Sequence, residues 1–448
     1  MAREQTLFAA AILLVSLAWP PPVRAAQMKP NVLFIAVDDL NTQVGCYGSD
    51  FVKTPHLDRL AARGVRFDRA YCNYPTCNGS RTALLTGRYP ESNGVFRNRT
   101  NPREKLPDSV FLPEYFKRHG YFTAAIGKIT HGEYAPALRC DEIVDIQRLS
   151  RKQRPDIRGD LPFNWEASRN SDSQAPDGMI ARKAVELLEK RQHKPFFIAV
   201  GFHRPHVPHA APRKYFEMYP STAMKRNDRG GADGVPSSAR NRFYPELTAA
   251  QQRQIVAHYS AVTTFMDSQL GVVLEAVGRL GLSEKTIVVF WSDHGWHLGD
   301  HGGMWAKGTV MEEAARIPLI IVAPGKATGA SQRVVETVDL YPTLAVLCGL
   351  PVPAEVQGRS FAKLLDDPGT SLGHTAYTVK QRRDGLSRSI RDYRYMYAEY
   401  PDGARQLYDL VNDPHQLHNL ADDQAHAKAK ARMQRLLHEK KQARRQRG

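Results

Sequence analysis

Two acidic elements and one cysteine pose the chemical question in this chain. Asp38 and Asp39 are adjacent carboxylates, which in a closed site repel one another unless a cation neutralises them, and oxygen-rich clusters suit hard divalent ions. Asp293-His294 is a second acidic element of the same kind. Taken singly, each pair serves equally well as turn or cap chemistry; at two strand ends of one sheet they could converge on one metal. The five cysteines, Cys46, Cys72, Cys77, Cys140 and Cys348, are few, irregularly spaced and odd in number, with no CxxC spacing. That pattern speaks against a disulfide framework, a zinc site and a thioredoxin-like redox motif. A single reactive cysteine remains worth seeking, although a lone Cys ordinarily reads as a buried structural residue.

The elements that must position these groups follow from hydrophobic patterning. Asn31 to Val37 (NVLFIAV) is a short apolar run that stops abruptly at Asp38-Asp39, as a buried parallel strand does. Functional loops commonly follow such strand ends. Further strands are predicted over Phe122 to Ile126, Pro195 to Gly201, Thr286 to Trp291 and Pro318 to Val322, with helices over His56 to Arg63, Ser109 to His119, Asp177 to Arg191 and Leu247 to Arg279. This alternation implies an α/β domain with a large central, mostly parallel sheet flanked by helices. Residues 135–175 and 219–244, rich in Arg, Asp, Pro and Gly, read as surface insertions near a site. Beyond Gln357-Gly358-Arg359 come Tyr-rich alternating runs, Ser389 to Tyr400 and Gln406 to Leu410, around a turn-like Pro401-Asp402-Gly403. They predict a small C-terminal antiparallel sheet followed by a basic helix. The expected division is a leader over 1–25, a catalytic domain over 26–365 and a C-terminal subdomain over 366–448.

The chain has 448 residues, 42% hydrophobic and 24% charged, which excludes global disorder and a lone binding module. Its 62 Lys and Arg against 46 Asp and Glu give +16, favouring acidic partners such as nucleic acid, anionic lipid or acidic polysaccharide. No stacking or major-groove motif supports nucleic acid. From Lys428 onward nine Lys or Arg face the single acid Glu439, and the stretch Ala421 to Arg447, with Met433, Leu436 and Leu437 as its few apolar anchors, reads as a solvated, partly frayed helix. Arg3, the apolar run Leu7 to Trp19 and the small-residue spacing at Val23-Arg24-Ala25 look like a secretory signal peptide. The run is too short for the roughly twenty residues that span a bilayer. The expectation is an exported protein, periplasmic or secreted, without stable membrane insertion.

Between the acidic elements lies Cys77-Asn78-Gly79-Ser80-Arg81, followed by Thr86-Gly87-Arg88. This pattern resembles the signature of the type I, formylglycine-dependent sulfatases: Cys or Ser, any residue, Pro, any residue, Arg. The chain departs from it at Gly79, where the family has Pro and sometimes Ala. The resemblance extends over Pro30 to Leu420 and includes Asp38-Asp39-Leu40, Gly45-Cys46-Tyr47-Gly48, Gly127-Lys128-Ile129-Thr130-His131, Gly201-Phe202-His203-Arg204-Pro205-His206, Ser292-Asp293-His294-Gly295-Trp296-His297-Leu298-Gly299 and Trp305-Ala306-Lys307. All stand in the family's order, and they look most like its iduronate-2-sulfatase branch.

The resemblance implies an alkaline-phosphatase-like fold and hydrolysis of sulfate esters, with 2-O-sulfated uronate in glycosaminoglycan-like polysaccharides as the substrate of that branch. It implies one Ca2+ held by Asp38, Asp39, Cys77, Asp293 and His294, with His294 at a position often occupied by Asn. It also implies oxidation of Cys77 to formylglycine by a formylglycine-generating enzyme. The hydrated aldehyde carries two hydroxyls: one attacks sulfur, and the second expels sulfate. Arg81, one turn after Cys77, would stabilise that hydrate; Lys128 and Lys307 would clamp sulfate oxygens; His131 would serve the second hydroxyl and His206 the leaving oxygen. The Lys307 match requires one inserted residue between Asp300 and Trp305. Two other classes are compatible with the residues: a phosphomonoester or phosphonate hydrolase of the same superfamily, and a non-catalytic glycan-binding homologue in which Gly79 blocks maturation.

Overall fold

Every residue of the strand Asn31–Asp38 is buried, and its side chains alternate between two separate cores. Val32, Phe34 and Ala36 face one; Leu33, Ile35 and Val37 face the other. A strand apolar on both faces belongs in the middle of a sheet covered on both sides, and that is its place in the computed structural model. The model describes residues 29–146, 161–226, 230 and 234–445; the leader expected over 1–25 lies outside the described residues.

The main sheet runs in the order Arg316–Ile317, Val65–Tyr71, Leu319–Val322, Thr286–Ser292, Asn31–Asp38, Phe196–Pro205, Phe122–Gly127, Glu142–Val144, and Gly329–Glu336 also pairs with Val65–Tyr71. From Thr286–Ser292 to Glu142–Val144 every neighbouring pair is parallel. Leu319–Val322 runs antiparallel to both of its neighbours, so the sheet is mixed but mostly parallel. Helices Leu112–Arg118, Cys77–Thr86 and Leu340–Leu347 cover one face. Pro55–Ala62, Pro176–Arg191 and Ala249–Arg279 cover the other. The parallel arrangement sends the C-terminal ends of four central strands to one edge of the sheet, where ligand sites of open α/β folds form.

The predicted strands and helices all form, with ends shifted by a few residues. Val65–Tyr71, Gly329–Glu336 and Glu142–Val144 lie outside the sequence expectation: the first two interleave charged with apolar residues, and the third is a three-residue edge strand. The two long polar stretches also contribute structure. Trp165–Ser168 pairs with His209–Pro212, and Phe243 bridges to Met304; residues 147–160, 227–229 and 231–233 lie outside the description.

The C-terminal antiparallel sheet has four strands, Ala376–Arg382, Gly385–Arg391, Tyr395–Glu399 and Arg405–Asp409. The single run expected from Ser389 to Tyr400 is divided by a turn in which the Asp392 carboxylate accepts from the amides of Arg394 and Tyr395. The terminal helix, Ala427–Arg445, corrects the expectation of a solvated, frayed end. Met433 and Leu437 are 0% and 1% exposed and pack with Tyr377, Ile390 and Tyr397 of the small sheet. Lys440 donates to Glu336 at 2.7 Å, and Arg432 pairs with Asp392. Three or four apolar anchors suffice here because the sheet offers them an apolar face, a feature the helix sequence alone does not carry. Leu437→Ala should therefore destabilise the protein by about 2–5 kcal/mol, the cost of a core cavity, measured as a lower urea midpoint at unchanged m-value.

Candidate active site

The four parallel strand ends deliver the residues in question together. Asp38 ends Asn31–Asp38 and Asp39 follows it; Asp293 and His294 follow Thr286–Ser292; Lys128 and His131 follow Phe122–Gly127; His206 follows Phe196–Pro205. Gly127 and Gly201 allow this convergence. The Lys128 amide donates to the Gly201 carbonyl at 2.8 Å, and a Cβ on Gly201 would lie 2.2 Å from the Lys128 carbonyl oxygen. Lys128 could not turn inward past any larger residue there.

Cys77 is the first residue of the helix Cys77–Thr86, 0% exposed, at an end where the helix dipole favours negative charge. Its Sγ lies 3.3 Å from Asp38 Oδ1, 3.4 Å from His294 Nε2 and 3.2 Å from Lys307 Nζ. Burial and Asp38 push the thiol up, but Lys128 and Lys307 outweigh them, and its pKa falls below the usual value. Arg81, one turn on, is buried completely. Its Nε donates to Asp293 Oδ2 at 2.9 Å, and its guanidinium also reaches the carbonyls of Val37, Lys128 and Ile129. Asp293 is thus engaged by Arg81 through one oxygen, while its other accepts the Asp39 amide at 3.2 Å.

Asp38, Asp39, Cys77 and His294 place one ligand atom each within 4.8 Å of one another, all buried. Asp293 borders the set, its Oδ1 3.6 Å from His294 Nε2. Several details fit a divalent cation. Asp39 Oδ2 is buried with no hydrogen-bond partner. The His294 Nδ1–H donates to the Gly295 carbonyl at 3.1 Å, which turns Nε2 toward the set; against burial, Asp293 and Cys77 raise the ring to about 9, so a cation held at Nε2 would displace its proton. Burial raises Asp39 to about 7 against the opposing pull of Lys307, whereas at Asp38 the same burial is overridden by Lys128, His206, Arg81 and Lys307, which hold it well below the carboxylate range. Asp39 also adopts φ 67, a conformation that non-glycine residues take at a cost. Tyr259 holds it there, donating to the Asp39 carbonyl at 2.8 Å and accepting from the Asn41 amide at 2.9 Å.

Two ammonium groups lie against the carboxylates. Lys128 Nζ contacts Asp38 Oδ2, and Lys307 Nζ donates to Asp39 Oδ1 at 2.5 Å. Lys307 is presented between Ala306 at φ 65 and Gly308 at φ 94, on a loop that Asn241 grips through the Lys307 carbonyl. A buried network spans this loop: His297 Nε2 meets Thr309 at 2.8 Å, and His301 Nε2 lies 3.4 Å from Glu313 Oε2. His206 Nε2 is 3.9 Å from both Asp38 Oδ2 and Asp39 Oδ2, and its Nδ1–H donates to the Val207 carbonyl at 2.5 Å. Burial keeps His206 neutral, and burial with Lys128 lowers His131 to about 4. His131 Nδ1 is buried without a hydrogen-bond partner, and the ring feels the charges of Lys128, Asp38, Arg81 and Lys307.

Sequence reasoning missed one cation. Lys380, on Ala376–Arg382, donates to Thr76 Oγ1 at 2.9 Å directly before Cys77, and burial with Arg382 pushes it down to about 8. The same strand secures the approach to Cys77: Thr378 Oγ1 donates to the Cys72 carbonyl at 2.7 Å, and the Val379 amide donates to the Asn73 carbonyl at 3.0 Å. No motif marks this strand; only its alternating pattern could have revealed it. Gly79, where the signature calls for Pro or Ala, has a local cause. A Cβ there would lie 2.4 Å from the Tyr74 ring and 2.9 Å from the Val95 carbonyl, and Tyr74 is buried and bonded to the Phe96 carbonyl at 2.7 Å. All five cysteines are free thiols.

Against known proteins, the family model described as Sulfatase matches residues 30–350, and that of the N-sulphoglucosamine sulphohydrolase C-terminal region matches 299–443. A sulfatase of Formosa agariphila is 32% identical, over 88% of this chain and 83% of its own. Mouse iduronate 2-sulfatase is 31% identical over 83% and 78%. Among solved structures, BT4656 in complex with its substrate D-glucosamine-2-N,6-O-disulfate superposes with a TM-score of 0.80 at 22% identity, covering 93% of this chain and 98% of that one. BT1596, a 2-O GAG sulfatase, gives 0.72 at 25%, covering 93% of each.

Two outcomes follow from the packing and charge of this region. Gly79→Ala should cost about 1–3 kcal/mol through overpacking, and Tyr74→Leu in the same chain should recover part of it, read as a coupling in a double-mutant cycle. Glu313 lies half-buried beside His301 and is held down at about 2, His301 and His297 outweighing the desolvation that raises it. A carboxylate depressed in the folded state lends stability above its unfolded pKa and loses it as pH falls through the folded one. Acid unfolding should thus steepen between about pH 4.5 and 2, and Glu313→Gln should flatten that limb of the stability profile.

Proposed function

The chain belongs to the sulfatase family, and from that premise we propose that it removes 2-O-sulfate from uronate residues of glycosaminoglycan-like polysaccharides. The observation that carries the reading is the buried Asp38, Asp39, Cys77 and His294 set with Lys128 and Lys307 against it. The carboxylates of Asp38, Asp39 and Asp293 and the oxygen of a converted Cys77 suit a hard Ca2+ ion, His294 adding a nitrogen less usual for it, and two ammonium groups suit the oxygens of a sulfate monoester. Such an ion would polarise a sulfate oxygen and acidify the nucleophile. Cys77, oxidised by a formylglycine-generating enzyme, would supply the nucleophilic hydroxyl.

The remaining steps belong to the side chains. Lys128 and Lys307, 3.9 and 3.2 Å from Cys77 Sγ, flank the position where sulfur is attacked and stabilise its oxygens. Arg81 orients Asp293 and the start of the Cys77 helix. His131, neutral near pH 7, accepts the proton of the second hydroxyl. His206 carries its proton on Nδ1, committed to the Val207 carbonyl, so the nitrogen facing the site has none to give. Lys307, kept protonated by Asp39 against the effect of burial, is then the donor to the leaving alcohol, and His206 orients that oxygen.

The uronate assignment rests on the likeness to mouse iduronate 2-sulfatase and to BT1596, a 2-O GAG sulfatase, and on Lys380. Its described partners are the neutral oxygens of Thr76 and Tyr74, and a half-buried cation without a carboxylate is complementary to the substrate's own. The catalytic domain is assigned to 26–365 and the subdomain carrying Lys380 to 366–448. No helix among the described residues is long and apolar enough to cross a membrane. On the leader-like pattern of Arg3, Leu7 to Trp19 and Val23-Arg24-Ala25 we assign the protein to the periplasm or the exterior.

The test has three parts. Mass spectrometry of the tryptic peptide Ala70–Arg81, from protein coexpressed with a formylglycine-generating enzyme, should find the aldehyde at Cys77. Sulfate should be released from a 2-O-sulfated uronate disaccharide. Lys380→Met should raise its KM about 10- to 100-fold, the worth of one charged hydrogen bond, and leave hydrolysis of an aryl sulfate unchanged. Release of phosphate from phosphonate monoesters in place of sulfate would reassign the chemistry, and a persistent Cys77 thiol with bound sulfated glycan would make the protein a binder.

A further inference from the structure

A groove of 620 Å³ shares no residue with the candidate active site and is used by nothing described above. Its walls are the paired strands Trp165–Ser168 and His209–Pro212, the turn that follows Ser168, and the starts of the helices Pro176–Arg191 and Arg213–Glu217. Arg169, Arg182, Arg213 and Lys214 line it, all exposed. Asp172 is its one carboxylate, and that group is occupied by Lys214 at 2.9 Å and the Tyr215 hydroxyl at 2.7 Å. Arg182 bonds only neutral oxygens, the Gly178 carbonyl at 2.9 Å and the Gln269 amide at 3.3 Å. Three guanidinium groups therefore face solvent with no acid of the groove to pair with. Between them stand Ser168, Asn170 and Ser171, donors and acceptors of the kind that meet saccharide hydroxyls.

The groove is tied mechanically to the catalytic edge. Asp177, at the start of Pro176–Arg191, accepts the amides of His203 and Arg204, both at 2.9 Å. Arg204 in turn donates to the His206 carbonyl at 2.6 Å and to the Ala210 carbonyl at 2.7 Å. The chain passes from His206 straight into the strand His209–Pro212, whose last residue lines the groove. A polymer that left the site past His206 along this strand would reach these cations.

We propose that this groove is a remote subsite for an anionic polysaccharide chain, engaging sulfates or carboxylates of residues beyond the one being desulfated. The inference rests on the sulfated-polysaccharide reading and makes the protein selective for chain length. Exposed cations of this kind each contribute little, and their sum is screened by salt. The groove should therefore act on KM for the polymer at low ionic strength and leave the chemical step alone.

The test compares the wild-type chain with Arg169→Gln/Arg182→Gln/Arg213→Gln and with a charge-matched control, Lys53→Gln/Arg63→Gln/Lys363→Gln, three exposed cations elsewhere. The probes are heparin and a 2-O-sulfated uronate disaccharide. The groove variant should elute from immobilised heparin at lower salt than the control. Its KM for heparin should rise about tenfold at low salt, the difference fading as salt is added, with kcat and KM for the disaccharide unchanged. Equal elution of the two variants, or equal changes on polymer and disaccharide, overturns the proposal. If the wild-type protein cleaves no sulfate ester, the enzymatic reading fails, and the elution comparison still decides the groove.

Discussion

The buried guanidinium of Arg81 is the tie that fixes the catalytic edge. Parallel strands that end together leave carbonyls without ladder partners; those of Lys128 and Ile129 fall to this one side chain, which also reaches the Val37 carbonyl beside the Asp293 amide. Its charge is answered by Asp293, so a group that is expensive to bury is paired and nearly saturated with acceptors. Because Arg81 stands one turn after Cys77, the same contacts set the position and tilt of the helix that presents the thiol. Three strand ends and one helix start are thus held by a single residue, and the carboxylates and lysines take their distances from it.

Around that tie the site is organised as opposed charge. Asp38 and Asp39 face Lys128 and Lys307, each pair in direct contact, and the thiol sits where all four fields meet. Burial alone would neutralise every one of these groups; mutual pairing keeps most of them ionised. Asp39 is the least satisfied, with an orphaned oxygen and a raised pKa, which marks it as the position with most to gain from a cation. The strained backbone at Asp39 and at Ala306 lies in the residues that aim the two ends of this arrangement, in keeping with the tendency of strain to collect where geometry matters.

Much of this was legible in the sequence because buried parallel strands announce themselves twice, by an unbroken apolar run and by the polar residues at its end. NVLFIAV followed by Asp38-Asp39, and TIVVFW followed by Ser292, Asp293 and His294, located the sheet centre and its functional edge without any further information. Strands that mix charged with apolar residues, such as Val65–Tyr71, were silent because their faces are only partly apolar. Lys380 was silent for another reason: its role comes from a contact across some 300 residues with Thr76, roughly the separation at which only the folded topology relates two positions. The terminal helix was misread because three apolar side chains look insufficient until the sheet that receives them is known. Gly79 reads as a departure from a pattern in the sequence and as a steric requirement in the structure, with Tyr74 in the space a side chain would need.

The docking of Ala376–Arg382 onto Cys72 and Asn73 has a temporal side. During synthesis the cysteine segment emerges early, while the strand that closes over its approach is made near the end of the chain. Throughout that interval the backbone of 72–73 lacks the partners it has in the finished protein, so the segment that leads into Cys77 takes its final support only when the end of the chain has been made.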